Sequence, residues 1–137
     1  MKPLCFLVTI LWTSVQDLRF HRIPNQAVLF GFVSAFCLAW EQGGGAACLG
    51  ALGASLLGFL IHWPGYCRGE LGGGDVKLFS AYCALSGLSH MSKLIPAYGI
   101  CLAALLLFVK IRGARTGRGA AAPLAPWMAA AVILSML

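Results

Sequence analysis

Asp17 and Asp75 are the two aspartates of this 137-residue chain, and each stands where an apolar run meets a polar segment, in "QDLRFHRIPN" and in "GGGDVKLF". Two carboxylates able to meet are the minimum equipment for hydrolysing a peptide bond without a metal or a covalent nucleophile. One, as base, takes a proton from water while the other donates to the carbonyl oxygen. Close carboxylates cannot both ionise, so their protons leave in two separated steps and both roles are filled near neutral pH. Helix polarity suggests which does which. Asp75, at a helix N-terminus, meets the positive end of the dipole, which favours its anion and the role of base; Asp17, near a helix C-terminus, meets the negative end, which favours the acid. Singly, each also has a structural reading: Asp17 as a juxtamembrane charge beside Arg19 and Arg22, and Asp75 as a helix N-cap. Gly72, Gly73 and Gly74, without Cβ atoms, predict a backbone that takes positive φ and comes close to an extended substrate beside Asp75, with a flexible turn as the alternative.

The elements that must carry these acids follow from composition. Hydrophobic residues make up 60% of the chain and charged residues 10%, and the mean hydropathy is +0.85; soluble domains are about one-quarter charged. This predicts an all-α, polytopic membrane protein forming a single domain over 1–137. Apolar runs near 3–16, 26–40, 46–63, 76–90, 94–109 and 121–137 are read as six spans. Several are shorter than the roughly 20 residues needed to cross a bilayer. The first is expected to be a span and not a cleaved signal, since no small-residue cleavage site follows it.

If the spans alternate, Arg19, Arg22, Arg68, Lys77, Lys110, Arg112, Arg115 and Arg118 share one side and Lys2 and Lys93 the other. Eight basic residues against two predict a cytoplasmic location for the first side and an outside N-terminus. Both aspartates then emerge at the cytoplasmic face. The net charge of +6 is accounted for by topology, with attraction to anionic lipid as a secondary effect, and implies no nucleic-acid partner. The six cysteines contain no Cys-x-x-Cys pair and read as small buried hydrophobes, without zinc or disulfides. No metal or cofactor is expected.

In the third run, Ala46, Gly50, Ala54 and Gly58 recur every four residues. Such a small-residue stripe lets another helix approach closely and predicts a central position for that span. "EQGGG" is read as a short outer loop and "RGARTGRG" as a flexible inner tether. Pro96, Pro123 and Pro126 are placed near span starts, where a missing N–H costs least. His21, His62 and His90 lie at span ends and are given no role.

The two acidic motifs together resemble those of the type IV prepilin peptidases. "GGGDVKLF" is similar to the second motif of that family, a Gly-x-Gly-Asp formed here by Gly72, Gly74 and Asp75. "DLRFHRIPN" resembles the first, in which an aspartate at a span end is followed by Ile-Pro-Asn. "APLAPW" before the last run is similar to the small Tad/Flp-type members. The resemblance implies a membrane aspartic endopeptidase of the inner membrane that removes the basic leader of prepilin-like or pseudopilin-like proteins at the cytoplasmic surface, with Asp17 and Asp75 as the catalytic pair. It also implies contact with pilus or secretion assembly machinery. Pro24 and Asn25 would set the start of span two, with Asn25 as N-cap, and Lys77 would face substrate or lipid headgroups. Larger members carry a cytoplasmic insertion with paired Cys-x-x-Cys motifs and also methylate the new N-terminus; this sequence contains no such motif, and cleavage alone is expected. Two other readings compete: a small proton- or cation-coupled transporter, against which both acids lie at one surface, and a non-catalytic subunit of a pilus assembly platform, against which both aspartates are retained.

Overall fold

Leu4, Leu7, Leu11, Val15 and Leu18 of the first apolar run all point outward, while Thr9, Thr13 and Asp17 are buried. A helix of a water-soluble protein does the reverse; here the polar residues, four apart, share one face, and the leucines take the face that lipid would solvate. This helix, α1 (Lys2–Phe20), opens a computed structural model that describes residues 2–20, 23–69, 71–116 and 125–136. Every regular element among the described residues is helical: α2 (Asn25–Cys67), α3 (Gly73–Ser86), a short 3₁₀ turn (Leu88–His90), α4 (Met91–Thr116) and α5 (Ala125–Met136). Two stretches, Asn25–Cys67 and Leu88–Leu105, are long and apolar enough to cross a membrane by length and composition, consistent with a membrane protein.

α2 is broken where the sequence reads "EQGGG". Gly43 (φ −167°, ψ 18°) and Gly44 (φ 59°, ψ −140°) leave helical geometry, and Gly44 occupies the left-handed region that glycine tolerates without Cβ strain. Two arms result, 25–42 and 45–67, joined by two residues instead of the expected loop. Both arms touch α3: a Cβ on Gly31 of the first would lie 3.3 Å from Ala81 Cβ, and one on Gly58 of the second would lie 2.6 Å from Cys83 Sγ.

The centre of the bundle is therefore α3, where Val76 and every residue from Leu78 to Ser86 are buried, and not the third run as expected. The small-residue stripe serves this packing only in its second half. Ala54 and Gly58 are buried against neighbours, whereas Ala46 is exposed and a Cβ on Gly50 would meet open space. α3 is short because Gly87 (φ 72°) stops it, its N–H bonding to Cys83 O at 2.9 Å. α4 packs on α5, and α1 on α2 and α5.

Other expectations are corrected in detail. α4 runs on to Thr116, so Arg112 and Arg115 lie in the helix and not in a tether; Arg118 and Pro123, like His21 and Arg22, lie outside the described residues. Pro96 sits inside α4, not at its start, and Pro126 in the first turn of α5. Among the cysteines Cys83 and Cys101 are buried, but Cys37 and Cys67 are exposed, as an apolar thiol facing lipid can be.

Candidate active site

Asp17 and Asp75 come to the same end of the bundle because α1 ends there and α3 begins there. Thr13 Oγ1 gives its proton to Thr9 O at 2.7 Å, so Tyr82 Oη donates to Thr13 Oγ1 across 3.1 Å. Thr13 lies one turn from Asp17, and Tyr82 two turns from Asp75; aromatic side chains on a helix lean toward its N-terminus, which carries the Tyr82 hydroxyl back toward the Asp75 level. This bond ties the two acid-bearing helices together below the acids. Tyr82→Phe or Thr13→Val is expected to cost about 1 kcal/mol in unfolding free energy for a lost buried hydrogen bond, measurable as a lower melting temperature in detergent.

Asp75 is not the N-cap. Gly72 is, with extended φ −73° and ψ 145°, and Asp75 is the third helical residue. Its carboxylate accepts the Gly72 N–H, while its own N–H bonds to Gly72 O at 3.1 Å, the reciprocal arrangement that satisfies free donors at a helix start. None of the three glycines has the positive φ expected of them; each instead makes room. A Cβ on Gly72 would stand 3.1 Å from Asp75 Oδ2, one on Gly73 would stand 3.4 Å from Tyr66 Cε2, and one on Gly74 would stand 3.2 Å from Ile23 Cβ. The last contact seats Ile23, just before α2, directly on the first turn of α3.

Pro24 follows, and its carbonyl accepts Ala27 N–H at 3.1 Å. Pro24, half-buried, occupies the N-cap position of α2 and no side-chain cap bond is formed, so Asn25 is the first helical residue and not the cap; its side chain is exposed. Lys77 is exposed on α3. Neither Asn25 nor Lys77 is drawn into the buried cluster.

Asp17 is 6% exposed and Asp75 half-buried. Asp75 stands ahead of the apolar run 76–90. Burial, and then the charge of Asp17, push its carboxyl up to about 6, against the pull of the Gly72 N–H bond. This reverses the assignment suggested by helix polarity. The dipole contributes up to roughly 2 kcal/mol at a partly buried site, about one and a half pKa units, which is smaller than the rise from 3.8 to about 6. Asp75 is thereby held toward its protonated form.

Two further residues had no role in the sequence reading, His62, placed there at a span end, and Tyr98. His62, at 3% exposure, contacts the Tyr98 hydroxyl through Nε2 at 2.6 Å and Gly58 O through Nδ1 at 3.2 Å. Both rings pack on Phe79, with centroids 4.3 Å and 4.4 Å away, and Phe79 lies one turn from Asp75 on the same face of α3. The available signal was a histidine followed by no polar neighbour inside an apolar run, four residues after a glycine of the packing stripe. Among the described residues no group of three or more His, Cys, Asp or Glu side chains could hold a metal.

Over 139 aligned residues the chain is 27% identical to the prepilin leader peptidase/N-methyltransferase of Bacillus subtilis (strain 168), an alignment covering 96% of this chain and 53% of that protein. The chain thus spans about half the length of that relative. No solved structure matches it. Residues 4–137 match the type IV leader peptidase family, and with its paired acids on adjoining helices this chain belongs to that family.

Proposed function

We propose that this protein is a membrane aspartic endopeptidase that cleaves the basic leader of type IV prepilin-like, Flp-type proteins at the cytoplasmic membrane surface, with Asp17 and Asp75 as catalytic residues. The observation that carries the reading is that α1 and α3, joined by the Thr13–Tyr82 bond, bring their acids to one end of the bundle within a chain of this family. Asp75 enters the reaction protonated. Asp17 takes a proton from water, the water oxygen adds to the scissile carbonyl carbon, and Asp75 gives its proton to the carbonyl oxygen. Collapse of the tetrahedral species returns a proton to Asp75, and Asp17 hands its own to the leaving nitrogen as the C–N bond breaks.

In this proposal the arms of α2 cross the membrane separately, which gives six crossings, an outside N-terminus and an acid end at the inner face of a bacterial cytoplasmic membrane. The positive-inside asymmetry of the sequence supports this topology. The Cβ-free first turn of α3 holds Asp75, Tyr66 and Ile23 close together, the substrate backbone lies beside Asp75 with Ile23, Pro24 and Asn25 as one wall, and Lys77 lies toward the headgroups.

The test is cleavage of a candidate prepilin from the same genome, followed by gel shift in co-expressing cells and then with purified protein across pH. Loss of the Asp75 proton removes the acid, so kcat/KM is expected to fall as pH rises through the value of about 6. Unprocessed prepilin at every pH would overturn the reading.

A further inference from the structure

The half of the small-residue stripe that helix packing does not use borders a cavity. Ala46 is exposed and a Cβ on Gly50 would meet open space, so the second arm of α2 leaves room beside the end of α3. The cavity measures about 210 Å³. Ala35 and Ala39 of the first arm and Ala51 of the second form its buried floor, and its rim is exposed at Gln42, Leu88 and Ser89. It lies where α3 stops, at the end of that helix opposite Asp75.

The wall supplied by α3 is rich in acceptors. The helical ladder closes with Gly87 N–H on Cys83 O, and Gly87 (φ 72°, ψ 167°) then turns the chain away. The carbonyls of Ala84, Leu85 and Ser86 therefore lie past the last helical bond, at the negative end of the helix, and all three residues line the cavity. Ser86 is 8% exposed, yet among the described residues its hydroxyl makes no hydrogen bond, whereas Ser80 on the same helix returns its hydroxyl to Val76 O. Among the described residues Ser14 Oγ is the one side-chain polar atom both sealed off and unpartnered. Ser86 Oγ thus reaches open space, and the space that Ser86 borders is this cavity. No charged side chain of the described residues borders it.

We propose that the cavity binds a primary ammonium group on a short alkyl arm, the chemistry shared by an ethanolamine lipid headgroup and a free small amine. An ammonium brings a positive charge and three N–H donors, which match the negative end of α3 and the oxygens at 84–86, while its methylenes lie on the alanine floor. The exposed rim lets the charge keep part of its hydration. An anion would face the wrong end of the dipole. A divalent metal draws on carboxylates, and none lines the cavity. A quaternary ammonium carries the charge without the N–H groups and leaves the acceptors unmet.

The test is the melting temperature of the purified chain in neutral detergent, which needs no prepilin and does not depend on the peptidase reading. Short-chain phosphatidylethanolamine in excess is expected to raise it by about 5 °C, and phosphatidylcholine with the same acyl chains, its nitrogen trimethylated, to leave it unchanged. Gly50→Leu places a side chain in the open space without a backbone clash and abolishes the rise; Ser86→Ala, which removes one acceptor, reduces it. Ethanolamine alone separates the sources. A rise equal to that of the lipid identifies a free amine, and a rise with the lipid only identifies the headgroup. The inference fails if neither amine raises the melting temperature, if phosphatidylcholine raises it as much as phosphatidylethanolamine, or if the full rise persists in Gly50→Leu.

Discussion

Asp75→Asn is expected to lower the rate of leader cleavage by about two to four orders of magnitude, the contribution of a positioned acid or base, and Asp17→Asn to do the same. The amide is nearly isosteric with the carboxyl, and its oxygen can still accept the Gly72 N–H that orients Asp75, so the first turn of α3 keeps its form. What it loses is a proton that can be given up near neutral pH. In the proposed mechanism each acid depends on the other, so the double variant loses little beyond either single one. Single-turnover cleavage of a purified prepilin, with melting curves recorded in parallel, reads both quantities. A single variant that keeps more than about a tenth of the wild-type rate would remove that acid from the reaction.

The second large effect falls on packing. Gly58→Ala places a Cβ 2.6 Å from Cys83 Sγ and 3.0 Å from Cys83 Cβ, closer than such atoms approach. A backbone-anchored Cβ cannot step aside, so the second arm of α2 and α3 must part, at a cost of about 1–3 kcal/mol. Their separation also displaces Gly58 O from His62 and loosens the stack beneath Asp75. Cys83→Ala in the Gly58→Ala background removes the nearer clash and is expected to recover part of the loss, with a coupling of at least about 0.5 kcal/mol between the sites. Chemical unfolding of the four proteins in detergent measures it. Unchanged stability in Gly58→Ala would mean that the two helices do not meet closely at Gly58.

The acids were legible because a carboxylate in so apolar a chain is expensive and rarely idle. The glycines beside Asp75 drew attention for a related reason, yet their role differs from the expected one: they adopt ordinary φ values and serve by lacking Cβ atoms where Asp75, Tyr66 and Ile23 press in. That distinction depends on what packs against them, which local sequence does not specify. The Thr13–Tyr82 and His62–Tyr98 bonds join residues 69 and 36 positions apart, and no periodicity within one helix announces such pairs. Apolarity alone also ended α4 too early, because a helix continues into its charged residues when they can reach water. It named the wrong helix as the centre as well: small residues mark close approach, but which partner is enclosed depends on how the neighbours wrap it.

The break at Gly43 and Gly44 makes α2 a pair of tweezers closed on α3, one tip at Gly31 and the other at Gly58. With so brief a joint, neither blade can turn about its long axis or slip lengthwise without dragging its twin. One residue added within the second blade, between the joint and Gly58, would spin its tip by about 100°, since a helix advances 3.6 residues per turn, and Gly58 would swing away from its seat. The phase between the blades, more than the strength of either grip, is what this joint preserves.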